Sequence, residues 1–313
     1  MGFDIVAKQI IMLAVLMLLG FIGVKAKYIQ PELKDSISKI ILKFTLPLLN
    51  ITAITGQTLR PDMLTNAGIL ILFALGSIGI MLCVGTLVSK LFRLPPATKT
   101  IHTCMSAFGN VIFLGYPLIT ALYGEEGLFY AVVYALLNDG IVWTIGVYLI
   151  AKSAGNDSKA NWKKLINPNT IAFAIALIML AFGVRLPNLL HDTLSSVGKM
   201  TTNLSMLFIG ITLATIPLKG IYKRFTVYFI VLVKMILVPI ALMFIFSYLP
   251  FFDKTMVGVL ILQAAMPVQT ILTVVSSELG SDYRYATECV FITTVLSLAT
   301  LPGIYYIMTQ IIK

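Results

Sequence analysis

Two apolar stretches of the sequence are interrupted at matching places by residues that break helices. Ser106–Gly124 reads SAFGNVIFLGYPLITALYG and Gln263–Gly280 reads QAAMPVQTILTVVSSELG. Ala107-Phe108-Gly109-Asn110-Val111 stands opposite Ala264-Ala265-Met266-Pro267-Val268, and Gly124 and Gly280 close the two stretches at nearly the same offset. Glycine weakens a helix, asparagine prefers caps, and proline removes a donor and clashes with the preceding turn. A kinked helix is the plainer reading of either break taken alone. Two breaks in corresponding places favour discontinuous helices, with Gly109, Asn110, Met266 and Pro267 at the breaks. Asn110 then reads as an N-cap and Pro267 as a first-position residue of a second half-helix. The chemistry this offers is anion binding. A helix N-terminus presents N–H groups and partial positive charge, so two of them meeting can hold an anion without arginine.

Other polar residues inside apolar runs extend the candidate set. Asn50, Asn138, Pro267, Val268 and Gln269 join Asn110 as candidate ligand-binding residues. Gln269 is expected in the first turn of the second half-helix, where its amide either meets a ligand or makes a polar core contact. Asp139 is a carboxylate in the middle of a run, readable as a proton carrier or as a structural hydrogen-bonding group. Lys234 and Glu288 are further candidates for proton coupling, although Glu288 stands near the end of its run, where a long side chain reaches solvent. Lys43 can balance charge or reach lipid headgroups. His102 and His191 stand near run ends and read as interfacial, and the methionines and phenylalanines read as packing. Cys83, Cys104 and Cys289 are scattered with no CxxC, so no metal site, disulfide framework or cofactor is called for.

The elements that must position these residues follow from composition. The 313 residues are 58% hydrophobic and 12% charged, against about 25% charged in soluble domains. That excludes a soluble enzyme, a disordered chain and a disulfide scaffold. A membrane-crossing helix needs about 20 mostly apolar residues. Ten such runs are expected, at 3–24, 36–55, 66–89, 99–122, 127–151, 168–186, 192–215, 225–249, 255–277 and 285–311. The fold class expected is an all-α integral membrane protein.

The net charge of +10 sits in short loops, which is a topology signal and not a nucleic-acid-binding face. Lys25, Lys27 and Lys34 fall in the first loop, Lys90, Arg93 and Lys99 in the third, Lys152, Lys159, Lys163 and Lys164 in the fifth, and Lys219, Lys223 and Arg224 in the seventh. The even loops hold Arg60, Arg185, Lys254 and otherwise acidic residues. Odd loops are therefore expected in the cytoplasm and both termini outside the cell membrane. Five runs on each side of the central loop must then run in opposite directions, which suggests an inverted repeat. Residues 1–152 would form the first repeat, 153–167 a cytoplasmic linker and 168–313 the second repeat.

With these residues the chain resembles the auxin efflux carrier family, which includes bacterial malate- and malonate-type permeases and the plant PIN carriers. The resemblance covers essentially all ten runs. It rests on Gly109-Asn110 followed by Gly115-Tyr116-Pro117, on Ala264-Ala265-Met266-Pro267, on Pro47-Leu48-Leu49-Asn50, and on Asn138 ahead of Trp143-Thr144. It implies five-plus-five inverted repeats with crossed broken helices in runs 4 and 9. Runs 1, 2, 6 and 7 would form a scaffold, and runs 3–5 and 8–10 a moving transport domain. It also implies a homodimer through the scaffold. One departure is glycine in place of the plant-type proline before Asn110, and the long cytoplasmic loop of some plant members is absent.

Three functions are compatible with these residues to different degrees. The first is a secondary carrier of a small organic anion, a carboxylate such as malate, malonate or an auxin-like acid. No GxxxxGK[ST] segment occurs, so gradients must supply the energy, and anion uptake would need a proton or sodium ion. The second is an intramembrane enzyme, for which HExxH and GxSxG are both absent; no enzyme is expected. The third keeps the architecture and changes the cargo, toward sodium-coupled bile-acid-type carriers.

Overall fold

The computed structural model describes residues 2–56, 61–155, 166–216, 224–249 and 252–312, and among these the regular structure is all helix, with no strand. Helix α1 spans Gly2–Lys25. Helix α2 spans Leu33–Thr55, α3 Pro61–Leu91 and α4 Pro96–Ala107. Helix α5 spans Val111–Ser153 and is bent at Gly124, whose φ is 62°. Helices α6 (Pro168–Ala181), α7 (Asn188–Thr215) and α8 (Phe225–Ser247) follow. The last three are α9 (Lys254–Ala264), α10 (Ile271–Glu278) and α11 (Tyr283–Ile311).

Local chemistry sets many of these ends. Asn167 caps α6 by accepting from the N–H groups of Asn169 and Thr170, with Pro168 at the first helical position. Asp253 caps α9 through Met256 N at 2.7 Å, and Asp282 caps α11 through Tyr285 N at 3.0 Å. Such caps satisfy N–H groups that a helix leaves without internal partners. The expected run 168–186 stops early, because Gly183 turns left-handed (φ 65°) and Val184 N closes on Met179 O at 2.8 Å. Gly124 and Gly280, the two closing glycines, both have positive φ, 62° and 70°.

Wide, π-type turns occur at Ile41–Thr45, Val111–Gly115, Val142–Gly146 and Val231–Leu237. Three of them end two residues before a proline: Pro47, Pro117 and Pro239. Proline collides with the carbonyl four residues back, and a widened turn relieves that collision.

Six of the described helices are long and apolar enough to cross a membrane: Leu33–Thr55, Asp62–Leu91, Val111–Ser153, Asn188–Thr215, Phe225–Ser247 and Tyr283–Ile311. Ile11–Lys25, Pro168–Ala181 and Lys254–Ala264 are apolar but shorter. Much of the central loop (156–165) and of the seventh (217–223) lies outside the described residues, and with it the placement of Lys159, Lys163, Lys164, Lys219 and Lys223.

The helices pack in two groups. Helix α1 lies against α7, and α2 against α6 and α7. Helices α3, α4, α5, α8, α9, α10 and α11 pack among themselves; α2, α7 and α1 meet them chiefly at α5 and α11. The α1–α7 contact depends on bare backbone. A methyl group on Gly210 would collide with the Met17 carbonyl, and one on Gly20 with the Leu207 carbonyl. Gly210→Val should therefore lower thermal stability by about 1–3 kcal/mol, as overpacking does. Gly76→Ala, where a side chain meets nothing within 4 Å, is the control expected to leave the melting midpoint unchanged or raised.

Candidate functional site

The two breaks meet. Asn110 N donates to Pro267 O at 2.7 Å and Gln269 N donates to Phe108 O at 3.1 Å, so Gly109 and Val268 face each other as one antiparallel bridge. Each opened backbone thereby satisfies the other. Nearby side chains take more of the freed groups. Gly109 N donates to Asn138 Oδ1 at 3.4 Å, and Val268 N to Thr293 Oγ1 at 3.2 Å. Gln263 Nε2 donates to Val111 O at 3.3 Å. Lys234 Nζ donates to Ala107 O at 3.0 Å, capping the C-terminal end of α4. Gly109 is closely packed: a Cβ there would stand 3.2 Å from Lys234 Nζ, 3.3 Å from Val111 Cγ1 and 3.4 Å from Met266 Cβ, so the lysine would have to give by a few tenths of an ångström.

The bridge revises three expectations. Asn110 holds the N-cap position of α5, but its side chain makes no cap hydrogen bond, because its ψ of 60° leaves the first turn to a wide loop in which Gly115 N reaches Asn110 O. Pro267 is not a first-position residue: α10 begins at Ile271, and Pro267 instead supplies a bridge acceptor. Gln269 precedes α10 and is itself a bridge donor.

Beside the bridge lies a cavity of about 550 Å³. Its inner wall carries Asn50, Asn110, Tyr116, Asp139, Gln269 and Thr270. The start of α5 (Val111, Ile112, Phe113) and of α10 (Ile271) line it too. Asn50 and Asn110 are 2% and 1% exposed, and Asn50 Oδ1 and Asn110 Nδ2 have no hydrogen-bond partner. Asp139 Oδ1 accepts from Gln269 Nε2 at 2.9 Å and from Asn138 Nδ2 at 3.2 Å, and Asn138 Nδ2 also reaches Gln269 Oε1 at 3.3 Å.

Helix α2 forms one long side. Lys34, Ser38, Leu42, Leu46 and Asn50 all line the cavity at four-residue steps, a distance of about 24 Å at 1.5 Å per residue. The wall passes from the charged mouth (Lys34, exposed Asp35, Lys43) through an apolar band to the bridge. In the band Phe113 and Phe208 stack with centroids 4.9 Å apart, and Trp143 lies alongside.

Of the residues singled out in the sequence, Asn50, Asn110, Asp139 and Gln269 share the cavity wall, with Lys43 at the mouth. Asn138, Gly109, Met266, Pro267 and Val268 belong to the bridge and its support, outside the wall. Lys234 is fully buried on the bridge. Glu288 is elsewhere, 2.9 Å from Arg224 Nε. His102 is buried in the bundle, 1% exposed, and its Nδ1 lies 2.7 Å from Tyr285 Oη, which is 2.9 Å from Thr226 Oγ1. Phe113 and Phe208 are wall and not mere packing. Gln263 and Thr293 escaped the sequence reading. Gln263 carried a signal, an amide four residues before Pro267; Thr293 is one of several threonines in its helix and carried none. Among the described residues no group of three or more His, Cys, Asp or Glu is placed to hold a metal ion.

A cavity ending at two helix N-termini and unpartnered amides, inside an apolar helical bundle, has the form of a solute-binding site in a membrane protein. A family model described as "Membrane transport protein" matches residues 5–161 and 156–305, and the chain belongs to that family, the auxin efflux carriers. The chain is 26% identical over 303 residues to an "Uncharacterized transporter" of Methanothermobacter thermautotrophicus, covering 94% of this chain and 96% of the other. It is 25% identical over 221 residues to a "Putative malonate transporter" of Rhizobium meliloti, 68% of each chain. It is 23% identical to "Auxin efflux carrier component 8" of Arabidopsis thaliana, over 97% of both.

The bridge also predicts a stability phenotype. Lys234→Met leaves the Ala107 carbonyl without its donor, and an unmade buried hydrogen bond costs about 1–3 kcal/mol. The thermal midpoint of the purified variant should fall; a rise would show that the Lys234 contact is not stabilising.

Proposed function

We propose that the protein is a secondary carrier that moves an organic carboxylate across the cell membrane by alternating access. The observation that carries this reading is the buried, unpartnered Asn110 Nδ2, a donor on a cavity wall where α5 and α10 begin. A buried polar group without a partner is costly, and a ligand that supplies one repays the cost on binding. A carboxylate accepts from Asn110 Nδ2 and faces the positive ends of two helix dipoles, while Asn50 Oδ1, an acceptor, calls for a donor on the cargo such as a hydroxyl. Lys34 and Lys43 at the mouth attract anions toward it.

The band between mouth and bridge bears on the cargo. A short dicarboxylate would press its second charge against Leu46, Ile112 and Phe113, where desolvation is expensive. A carboxylate with an apolar body fits this zoning better, and 550 Å³ lies within the range of about 300–1,000 Å³ typical of pockets for drug-sized ligands.

In this reading the ten helical runs form two inverted repeats of five. Helices α1, α2, α6 and α7 act as scaffold and dimer surface, and α3–α5 with α8–α11 move as the transport unit. The two packing groups support it. The cavity opens beside exposed Asp35 and Ile166, on the Lys-rich side assigned to the cytoplasm, so the conformation would be inward-facing. A single cysteine at Tyr28, 89% exposed in the first loop, should resist an impermeant thiol reagent on intact cells when Cys83, Cys104 and Cys289 are replaced. Ready labelling would invert the topology.

Asn110→Asp tests the site. The side chain keeps its shape and loses no hydrogen bond, but it sets a negative charge beside the anion. Uptake of labelled carboxylates into liposomes should drop at least tenfold, about 1.4 kcal/mol in binding. The melting midpoint also falls, since a buried carboxylate without a partner is costly, so uptake is compared at a temperature where both proteins are folded. Transport at the wild-type level would place the site elsewhere.

A further inference from the structure

We propose that Asp139 takes up one proton with each anion bound, making the carrier a proton–anion symporter; this rests on the carboxylate reading above. Asp139 lines the same cavity as Asn110. Among the described residues only one of its oxygens has partners, Oδ1, held by Gln269 Nε2 at 2.9 Å and Asn138 Nδ2 at 3.2 Å. Among the described residues Asp139 forms no ion pair. The titratable groups around it are the Tyr116 phenol from the first arm of α5, Lys43, Lys34 and Asp35 from α2 toward the mouth, and Lys234 from α8 on the bridge, which donates to Ala107 O. Helix α7 contributes Phe208 and Thr212, and α10 with its leading residues contributes Gln269 and Thr270, none of them charged.

An anion at Asn110 therefore shares a confined, mostly apolar space with a carboxylate that has no cation of its own. Each disfavours the ionised form of the other. Binding the anion raises the proton affinity of Asp139, and by reciprocity protonating Asp139 tightens the anion. The proton comes from water in the open cavity, adds to a carboxylate oxygen of Asp139, and leaves from the same carboxyl after the anion departs on the other side. Gln269 ties this carboxyl to the helix breaks, since its side chain holds Asp139 and its backbone N–H holds Phe108 O.

The test uses the purified full-length protein and two probes, malonate and 3-phenylpropanoate. The neighbouring charge raises the second pKa of malonate, so its proton count is read only above about pH 7, where both probes are fully ionised. The acid end is read with 3-phenylpropanoate after correction for its own ionisation. Binding is measured by calorimetry from pH 5.5 to 8.5 in buffers of different ionisation heat, which counts protons taken up per ligand. The expected result is uptake approaching one proton, with affinity falling up to tenfold per pH unit across part of that range. Asp139→Asn should bind as the wild type does at the acid end, with no pH dependence and no proton uptake. If that variant is lost in purification, Asp139→Glu takes its place: it keeps a carboxyl but alters its contacts with Gln269 and Asn138, so the pH at which affinity falls should move, and an unmoved pH profile overturns the assignment. Wild-type binding without proton uptake overturns the coupling and leaves the anion site standing. Proton uptake that survives in Asp139→Asn puts the proton on another group and overturns the assignment. If neither probe binds at any pH, the carboxylate reading fails and the coupling fails with it.

Discussion

Backbone polar groups have no water to bond in an apolar bundle, and each one left open costs several kcal/mol. Breaking a helix there is possible only if another structure accepts what the break releases. In this protein the second structure is another broken helix. The Asn110–Pro267 and Gln269–Phe108 bonds form the smallest antiparallel pairing possible, and neither break is tolerable without it. Lys234, Gln263, Thr293 and Asn138 complete the pairing from four directions. Helices α8, α9, α11 and the second arm of α5 are thereby tied to one joint.

That joint explains why the cavity lies where it does. Opening two helices at one place puts two fresh N-termini side by side, and they line a single wall. The bridge spends its backbone groups internally, so the groups left for a ligand are those just beyond it: the first turns of α5 and α10 and the amides of Asn50 and Asn110. In the proposed carrier the binding energy of the cargo acts next to the joint that binds the transport helices together. A ligand shifts a conformational equilibrium only through contacts that differ between the states, and α2 and α7, which line the cavity from the other packing group, are the surfaces that would change.

The breaks were legible in the sequence because Gly-Asn and Met-Pro are conspicuous in apolar runs, and Gly124 and Gly280 marked the turns that follow. The helical class followed from composition alone. The capping role of Asn110 was misjudged because propensity describes an isolated helix end, and here the partner strand, not the side chain, takes the strain. The place of Pro267 was misjudged for the same reason. The stepped face of α2 from Lys34 to Asn50 was written in four-residue spacing, yet its polar, apolar and polar members read as noise until α5 was placed against them. The burial of His102 was hidden because its partner Tyr285 is 183 residues away. Thr293 could not be told from its neighbours, since a backbone acceptor is chosen by position and not by type.

The two breaks solve the same problem by different chemistry, and the difference assigns them different tasks. Proline at 267 has no N–H, so that strand brings one donor fewer to satisfy, and its carbonyl is used by Asn110 N. Glycine at 109 keeps its N–H, which needs Asn138, and it packs closely against the Lys234 ammonium. The first break is thus packed against a basic group, while its asparagine side chain stays unpartnered on the cavity wall. The second break has the reverse arrangement: its backbone is sparing of donors, and its glutamine side chain is engaged with Asp139 and Asn138. In the proposed carrier the first break offers a group to the cargo, and the second ties the charge state of the cavity to the joint itself.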